Sequence, residues 1–258
     1  MSPTVLENSA NSSHTLAEMY QVQHQDYQDD LPFWLHLAAE SSGQILELGC
    51  GTGRVLLALA EAGYTVMGID YDPNMLAVLK EHIPTRSEGK IQMILGDFTT
   101  LAVKETFHLI ILPCNTYSTL SAAARALTLD RVVAHLEPGG YFTVSLPNPV
   151  ILAELSDPDQ PETEMIFSHP QTGNPVQVSS DWETSRGDVK LRWFYDHLLP
   201  DGKVERLVTT VTQHKTTRET YQAEIFSVGL DITATYGDFD FAPYHAESPY
   251  LIFVTQKI

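Results

Sequence analysis

The stretch ILELGCGTGRVLLALAEAGYTVMGID, from Ile45 to Asp70, sets three glycines on alternate positions behind one apolar run and an aspartate at the end of the next. Glycine is needed where the backbone takes positive φ or where a ligand touches the main chain. Gly49, Gly51 and Gly53 therefore point to a ligand at the carboxyl end of a strand. Thr52 is placed to cap a following helix, whose first amides suit an anionic group such as a carboxylate. Asp70 lies 17 to 21 residues beyond the glycines, where a Rossmann-like sheet offers a carboxylate to two vicinal ribose hydroxyls. The dinucleotide fingerprint G-x-G-x-x-G would require glycine where Arg54 stands, which argues against a nicotinamide dehydrogenase.

Other reactive side chains give weaker signals. Ten histidines are scattered without paired metal-ligand spacing, so no metal site is expected. Two of them are candidate bases: His197, on the inward register of a hairpin, and His245, in the segment PYHAESP. Cys50 and Cys114, the two cysteines, lack zinc-site spacing, and Cys50 reads as a small residue fitted to a turn. Met75 and Leu76 either touch a bound base or staple a helix to the sheet. Trp182, Trp193 and Tyr195 share strand registers and read as core or dimer packing, with a homodimer left open. The acidic run from Glu154 to Glu164 reads as a solvated loop.

The elements that must position these residues follow in a regular order. Short β-type runs QILELG, YTVMGID, IQMILGD, FHLIILP and YFTVSLP alternate with helical patterns beginning at Thr52, Pro73 and Ser121. Strands alternating with helices imply a parallel sheet. Ahead of them, residues Met1–Thr15 read as a loose polar arm, and Leu16–Glu40 as one or two helices. After Pro147 a proline-rich acidic passage leads into runs of period two, with the turn segment LPDGK between Val189–His197 and the run from Val204. RETYQAEIFSVGL reads as a helix ended by Gly229, and DITATYGDF and PYLIFVTQKI read as a closing pair of strands. The expected architecture is α/β: a Rossmann-like, seven-stranded, mostly parallel sheet with flanking helices and an antiparallel β insertion after the fifth strand. The expected division is residues 1–40 as arm and helices of the same domain, 41–148 with 215–258 as the sheet domain, and 149–214 as the insertion.

The chain of 258 residues carries a formal net charge of -18. That charge disfavours nucleic acid and anionic membrane surfaces as partners. Its start has no signal-peptide pattern, no window has the apolar length of a membrane span, and a soluble cytoplasmic protein is expected.

ILELGCGTGRVLLALAEAGYTVMGIDYDPNML resembles the first two motifs of class I S-adenosylmethionine-dependent methyltransferases, especially the bacterial small-molecule ones. Glu47, Gly49, Gly51 and Gly53 reproduce that family's E/D-x-G-x-G-x-G loop. The resemblance implies that the loop contacts the methionine part of S-adenosyl-L-methionine and that Asp70, with Tyr71 beside it, holds the ribose. LGDFTTL continues it, implying that Asp97 meets the adenine amino group and Phe98 the ring. LPCNTYSTL implies that Cys114 and Asn115 lie beneath the sulfonium and face the acceptor. The N-terminal helix with Tyr20, and Tyr27 close behind, implies a tyrosine at the methionine carboxylate. The implied activity is methyl transfer to an N or O atom of a small molecule; a catalytically silent cofactor-binding module is the alternative.

Overall fold

The structure, a computed structural model, describes residues 4–5 and 10–258. In chain order the elements are β1 (Thr4–Val5), α1 (Ala10–His24), α2 (Leu31–Ala39), β2 (Ile45–Leu48), α3 (Arg54–Glu61), β3 (Val66–Asp70), α4 (Pro73–His82), β4 (Ile91–Leu95), β5 (Phe107–Leu112), α5 (Ala122–His135), β6 (Leu136–Pro147), α6 (Pro149–Glu154), β7 (Glu162–Ser168), β8 (Pro175–Thr184), β9 (Asp188–Leu198), β10 (Val204–His214), α7 (Arg218–Ser227), β11 (Leu230–Tyr236) and β12 (Tyr250–Lys257). They fall into two compact units: the described residues up to Tyr27 with Leu155–Gln213, and Gln28–Glu154 with His214–Ile258. The sequence reading joined residues 1–40 to the sheet domain, whereas tertiary contacts group α1 with the insertion strands. Of the loose arm expected over Met1–Thr15, residues from Ala10 onward are helical and 1–3 and 6–9 lie outside the described residues.

The larger unit is a seven-stranded sheet in the order β11-β12-β6-β5-β2-β3-β4. β2, β3, β4, β5 and β6 pair in parallel, and β12 runs antiparallel to both β6 and β11. Every residue of β2 and β3 is buried, as strands covered on both faces require, and this is why they read as unbroken apolar runs. Alternation along each strand then divides the core in two. Leu46, Leu48, Ile110, Leu112 and Phe253 face one way, against Leu129 and Val132 of α5 and Tyr221 and Ile225 of α7. Ile45, Leu109, Ile111 and Ile252 face the other way, against Phe33 and Trp34 of α2 and Val55 and Leu59 of α3.

Local signals place most boundaries. Ser121 caps α5 by accepting the Ala124 amide at 3.2 Å, Asp72 caps α4 through the Asn74 amide at 2.8 Å, and Thr217 caps α7 through the Thr220 amide at 3.2 Å. One boundary differs from the sequence reading. Thr52 does not cap α3; the cap is Gly53, at φ 89° and with no side-chain hydrogen bond. α5 ends at His135, and the segment EPGG after it is the first part of β6, where the pairing with β5 shifts register between Phe107 and Leu109. A bulged strand absorbs glycines that a regular one would not.

The smaller unit is a five-stranded sheet in the order β1-β10-β9-β8-β7, with α1 contributing Met19 to a core of Val176, Val178, Tyr195 and Leu207. The β8–β9 pairing sets Asp181 opposite Arg192, and their side chains form a two-pronged ion pair at 2.6 and 2.9 Å. Tyr195 is fully buried and Trp193 packs on the same cluster, so these two are core residues of this unit, whereas Trp182 lies outside that cluster and donates to the Ser156 carbonyl at 2.8 Å. Among the described residues no helix is long and apolar enough to cross a membrane.

A buried ion pair joins the two helices on one face of the larger sheet. Arg125 of α5, 4 % exposed at its side chain, donates to both Glu224 oxygens of α7, at 2.7 and 2.8 Å, and to the Leu120 carbonyl at 2.8 Å. Removing one partner of such a pair strands the other charge. Arg125→Ala is expected to lower the unfolding free energy by about 3 kcal/mol in a urea titration, with the loss reduced when Glu224→Gln is added.

Candidate functional site

The carboxyl ends of β2, β3, β4 and β5 lie side by side, and the segments leaving them carry most of the sequence-selected residues. After β2 the chain turns through Gly49 (φ 67°), Gly51 (φ 53°) and Gly53 (φ 89°). At Gly53 a Cβ would also stand 2.2 Å from Leu79 Cδ1, so the glycine serves packing of the loop on α4 as well as the turn. The loop is stapled to the neighbouring strand: the Gly49 and Cys50 amides both donate to the Ile69 carbonyl, at 2.8 and 3.1 Å. The Gly51 amide donates to Asp70 Oδ2 at 2.8 Å, and Asp70 Oδ1 accepts the Asp72 amide at 2.9 Å. Asp70 is 7 % exposed. Burial pushes its carboxyl up from the ordinary range, opposed by the amides of Asp72 and Gly51. Each oxygen keeps a further lone pair for a hydroxyl donor.

Asp30, Arg54 and Cys114 form the next layer. The Arg54 guanidinium, 13 % exposed, pairs with both oxygens of Asp30, which also accepts Trp34 Nε1 at 3.0 Å. Its Nη2 reaches Cys114 Sγ at 3.3 Å. One arginine thus links the segment before α2, the start of α3 and the end of β5. The sequence marked Arg54 only as the residue that breaks a dinucleotide pattern. Its partner Asp30 sits in a run of acids whose burial no local pattern reveals.

Two buried oxygens at this edge have no hydrogen-bond partner: Glu47 Oε2 and Asn115 Oδ1. Glu47 is 3 % exposed, and the Leu56 amide in the first turn of α3 favours its charged form. Burial pushes it well above the ordinary range against the pull of Arg54, with Asp30 and Asp70 adding to the rise. Asn115 follows Cys114, and both hold φ near 60°, the left-handed region that non-glycine residues enter at a cost of about 1 to 3 kcal/mol. Strain and an unsatisfied buried oxygen at one position mark a place built for a ligand. Two unpartnered acceptors suit an N–H donor such as an ammonium group, and Asp70 suits hydroxyls. That chemistry matches the amino-acid and ribose parts of S-adenosyl-L-methionine, so the residues present fit the cofactor implied by the motif.

Phe98 is buried, with Cε1 3.7 Å from the position a Gly49 Cβ would take, and Thr116 Cγ2 stands 3.4 Å from the same point. Asp97 is exposed and accepts the Thr99 amide at 2.8 Å. Tyr71 is exposed beside Asp70. Leu76 packs on the helix-covered core, whereas Met75 is outside it. Cys50 is a buried thiol pushed up strongly by burial, with Glu47 and Asp70 adding to the rise, which leaves it a packing residue.

Three sequence-selected residues fall outside these segments of the chain. Tyr20 is on α1, its ring 4.3 Å from that of His24, and belongs to the smaller unit. His197 belongs to it too: buried, stacked 4.2 Å from His169, with Nε2 2.9 Å from Thr172 Oγ1 and Nδ1 3.6 Å from Glu205. Both of its ring nitrogens have neighbours within that unit, which is the setting of a core histidine. His245 is largely exposed, in the loop before β12, with Nδ1 3.2 Å from Glu247 Oε2.

Residues 45–140 match the family described as a methyltransferase domain. The chain is 25 % identical over 218 residues to a cypemycin N-terminal methyltransferase of a Streptomyces species, covering 83 % of this chain and 82 % of that protein. It is also 25 % identical over 235 residues to a dTDP-3-amino-3,6-dideoxy-alpha-D-glucopyranose N,N-dimethyltransferase of Streptomyces fradiae, covering 86 % of each. Its fold resembles that of a solved S-adenosylmethionine-dependent methyltransferase from Clostridium acetobutylicum, with a TM-score of 0.79 at 16 % identity, covering 94 % of this chain and 97 % of that one. The glycine loop bound to its aspartate and the seven-stranded sheet that presents them agree with these matches: residues 45–140 match a methyltransferase domain, and the chain as a whole is similar to methyltransferases that use S-adenosylmethionine.

Proposed function

We propose that this protein transfers the methyl group of S-adenosyl-L-methionine to a small-molecule acceptor, at nitrogen in preference to oxygen. The observation that carries the reading is the pair of unpartnered buried oxygens, Glu47 Oε2 and Asn115 Oδ1, on strand ends flanking a glycine loop held to Asp70. Glu47 and Asn115 accept from the cofactor's ammonium, Asp70 from its ribose hydroxyls and Asp97 from the adenine amino group, with Phe98 and Tyr71 along the ring. Cys114 borders the reacting centre. The preference for nitrogen draws on the two Streptomyces relatives, one named an N,N-dimethyltransferase of an amino sugar and the other an N-terminal methyltransferase.

When bound, the cofactor supplies a methyl group activated by an adjacent positive sulfur. The chain's own work is therefore alignment and exclusion of water, not covalent catalysis. No thiolate is required, in keeping with the high-lying Cys50 thiol. A nitrogen acceptor needs its lone pair free, which a site with no dedicated base permits when the amine enters uncharged. Of the histidines considered as bases, only His245 is solvent-exposed.

Removing the Asp70 carboxylate takes away a charged hydrogen-bond acceptor and the anchor of Gly51. Asp70→Ala is expected to weaken cofactor binding by about 1.5 to 3 kcal/mol in isothermal titration, and unchanged affinity would remove Asp70 from the ribose. Incubation with methyl-labelled cofactor and a panel of small amines and hydroxy compounds should label amines; cofactor binding with no transfer to any class would favour a silent module.

Glu47 allows a test with a definite sign. Its carboxyl in the folded chain keeps its proton above the ordinary value of 4.5, so the folded state binds more protons than the unfolded one in that window. Stability should fall as the pH rises from 4.5 through the raised value. Glu47→Gln, which removes the titrating group at nearly the same volume, is expected to flatten that fall in thermal unfolding scans and to weaken cofactor binding about tenfold.

A further inference from the structure

A second feature on the same sheet edge is a guanidinium without a counterion. Arg218 is the first residue of α7, and α7 immediately precedes β11. Because β11 and β6 both run antiparallel to β12, they share one direction, and α7 leads back to the start of β11. The amino end of α7 therefore lies at the edge where β6 ends. A chain of contacts fixes it there: Arg218 Cζ sits 5.0 Å from the centre of the Tyr244 ring, and Tyr244 OH donates to Asn148 Oδ1 at 2.8 Å. Asn148 is the residue after β6, 1 % exposed, and its Nδ2 donates to the Ala246 and Ser248 carbonyls at 2.8 and 2.6 Å. The ring beneath Arg218 is thus held by a buried amide that is itself fully committed to the loop before β12.

Within this frame Arg218 Nε is shut off from solvent and has no hydrogen-bond partner, and among the described residues no carboxylate forms an ion pair with Arg218. Arg131 and Arg186 also form no ion pair among the described residues, but neither has a guanidinium nitrogen shut off from solvent without a partner, as Arg218 has. Acidic residues outnumber Lys and Arg by 33 to 15, and Arg54, Arg86, Arg125, Arg192 and Arg206 each meet a carboxylate. A half-buried guanidinium left unmatched among so many acids bears a desolvation cost that a bound anion would offset. Its planar fork fits a carboxylate or phosphate with two parallel hydrogen bonds.

We propose that Arg218, supported by Tyr244 and Asn148, is the anchor for an oxyanion, a carboxylate or a phosphate, carried by the methyl acceptor. The proposal rests on the methyltransferase reading for the words "methyl acceptor", but the anion site itself can be measured without it. The acceptor it selects is then a molecule with an uncharged amine at one end and an anionic group at the other.

The test is isothermal titration of the full chain with inorganic pyrophosphate and, separately, with acetate, using wild type, Arg218→Gln and Arg218→Lys. S-adenosyl-L-methionine is titrated into each in parallel. The proposal expects saturable binding of at least one anion by wild type, a loss of tenfold or more in Arg218→Gln, and partial retention in Arg218→Lys, with cofactor affinity equal in all three. Stronger binding of pyrophosphate identifies a phosphate site, and stronger binding of acetate a carboxylate site. If Arg218→Gln fails to fold by circular dichroism, Arg218→Lys, which keeps the charge and the ring contact, carries the comparison through loss of the two-pronged fork. Absence of anion binding by wild type, or equal binding by the variants, overturns the proposal. Absence of cofactor binding by wild type overturns the methyltransferase reading and leaves the anion result standing.

Discussion

The arrangement of the strand ends depends on one hydrogen-bonded carboxylate. Asp70 closes β3 and takes the Gly51 amide on one oxygen and the Asp72 amide on the other. The first bond draws the glycine loop of the neighbouring strand onto β3, and the second sets the turn into α4. Ile69 adds two more bonds to the same loop through its carbonyl. A buried carboxylate is stable only when such donors surround it, so the loop, the start of α4 and Asp70 hold their positions together. Gly68, one residue earlier in chain order than Ile69, completes the fit, since a Cβ there would stand 2.8 Å from Cys50 Sγ.

Around this centre the acidic chain distributes its few cations with purpose. Arg54 is matched by Asp30 and ties three segments at the strand ends; Arg125 is matched by Glu224 and ties α5 to α7. Both pairs are largely buried, where the cost of removing charge from water is met only by close, two-pronged geometry. Arg218 departs from that rule, and Glu47 and Asn115 depart from it among the acceptors, each with one buried polar atom unsatisfied. All three lie at the carboxyl edge of the larger sheet. Ser87, Thr143 and Ser145 also keep a buried hydroxyl oxygen without a partner, so it is the charge or the strained backbone at Glu47, Asn115 and Arg218 that sets these three apart.

The fold was legible because its signals are local and repeated. Strands buried on both faces print as apolar runs, and caps such as Ser121, Asp72 and Thr217 print as single residues ahead of helical patterns. The misread points are those where a local preference met a tertiary constraint. Thr52 has the chemistry of a cap, yet Gly53 takes the position, at a left-handed φ of 89° that glycine alone enters freely. His197 has the right register for an inward-facing base, but its neighbours His169, Thr172 and Glu205 come from residues up to 28 positions away and enclose it.

The sequence by itself determined the parallel sheet, the glycine loop, the aspartate that faces it and hence the kind of cofactor the chain resembles being built for. These follow from spacing along the chain, where a glycine, a cap or an apolar period acts within a few residues. Only the tertiary structure decided that Asp30 is the partner of Arg54, that Glu47 and Asn115 keep a buried oxygen free, and that Arg218 stands without a counterion. Whether a charge is paired depends on which distant segments fold against it, and that is set by the closure of the whole sheet and not by the residues on either side.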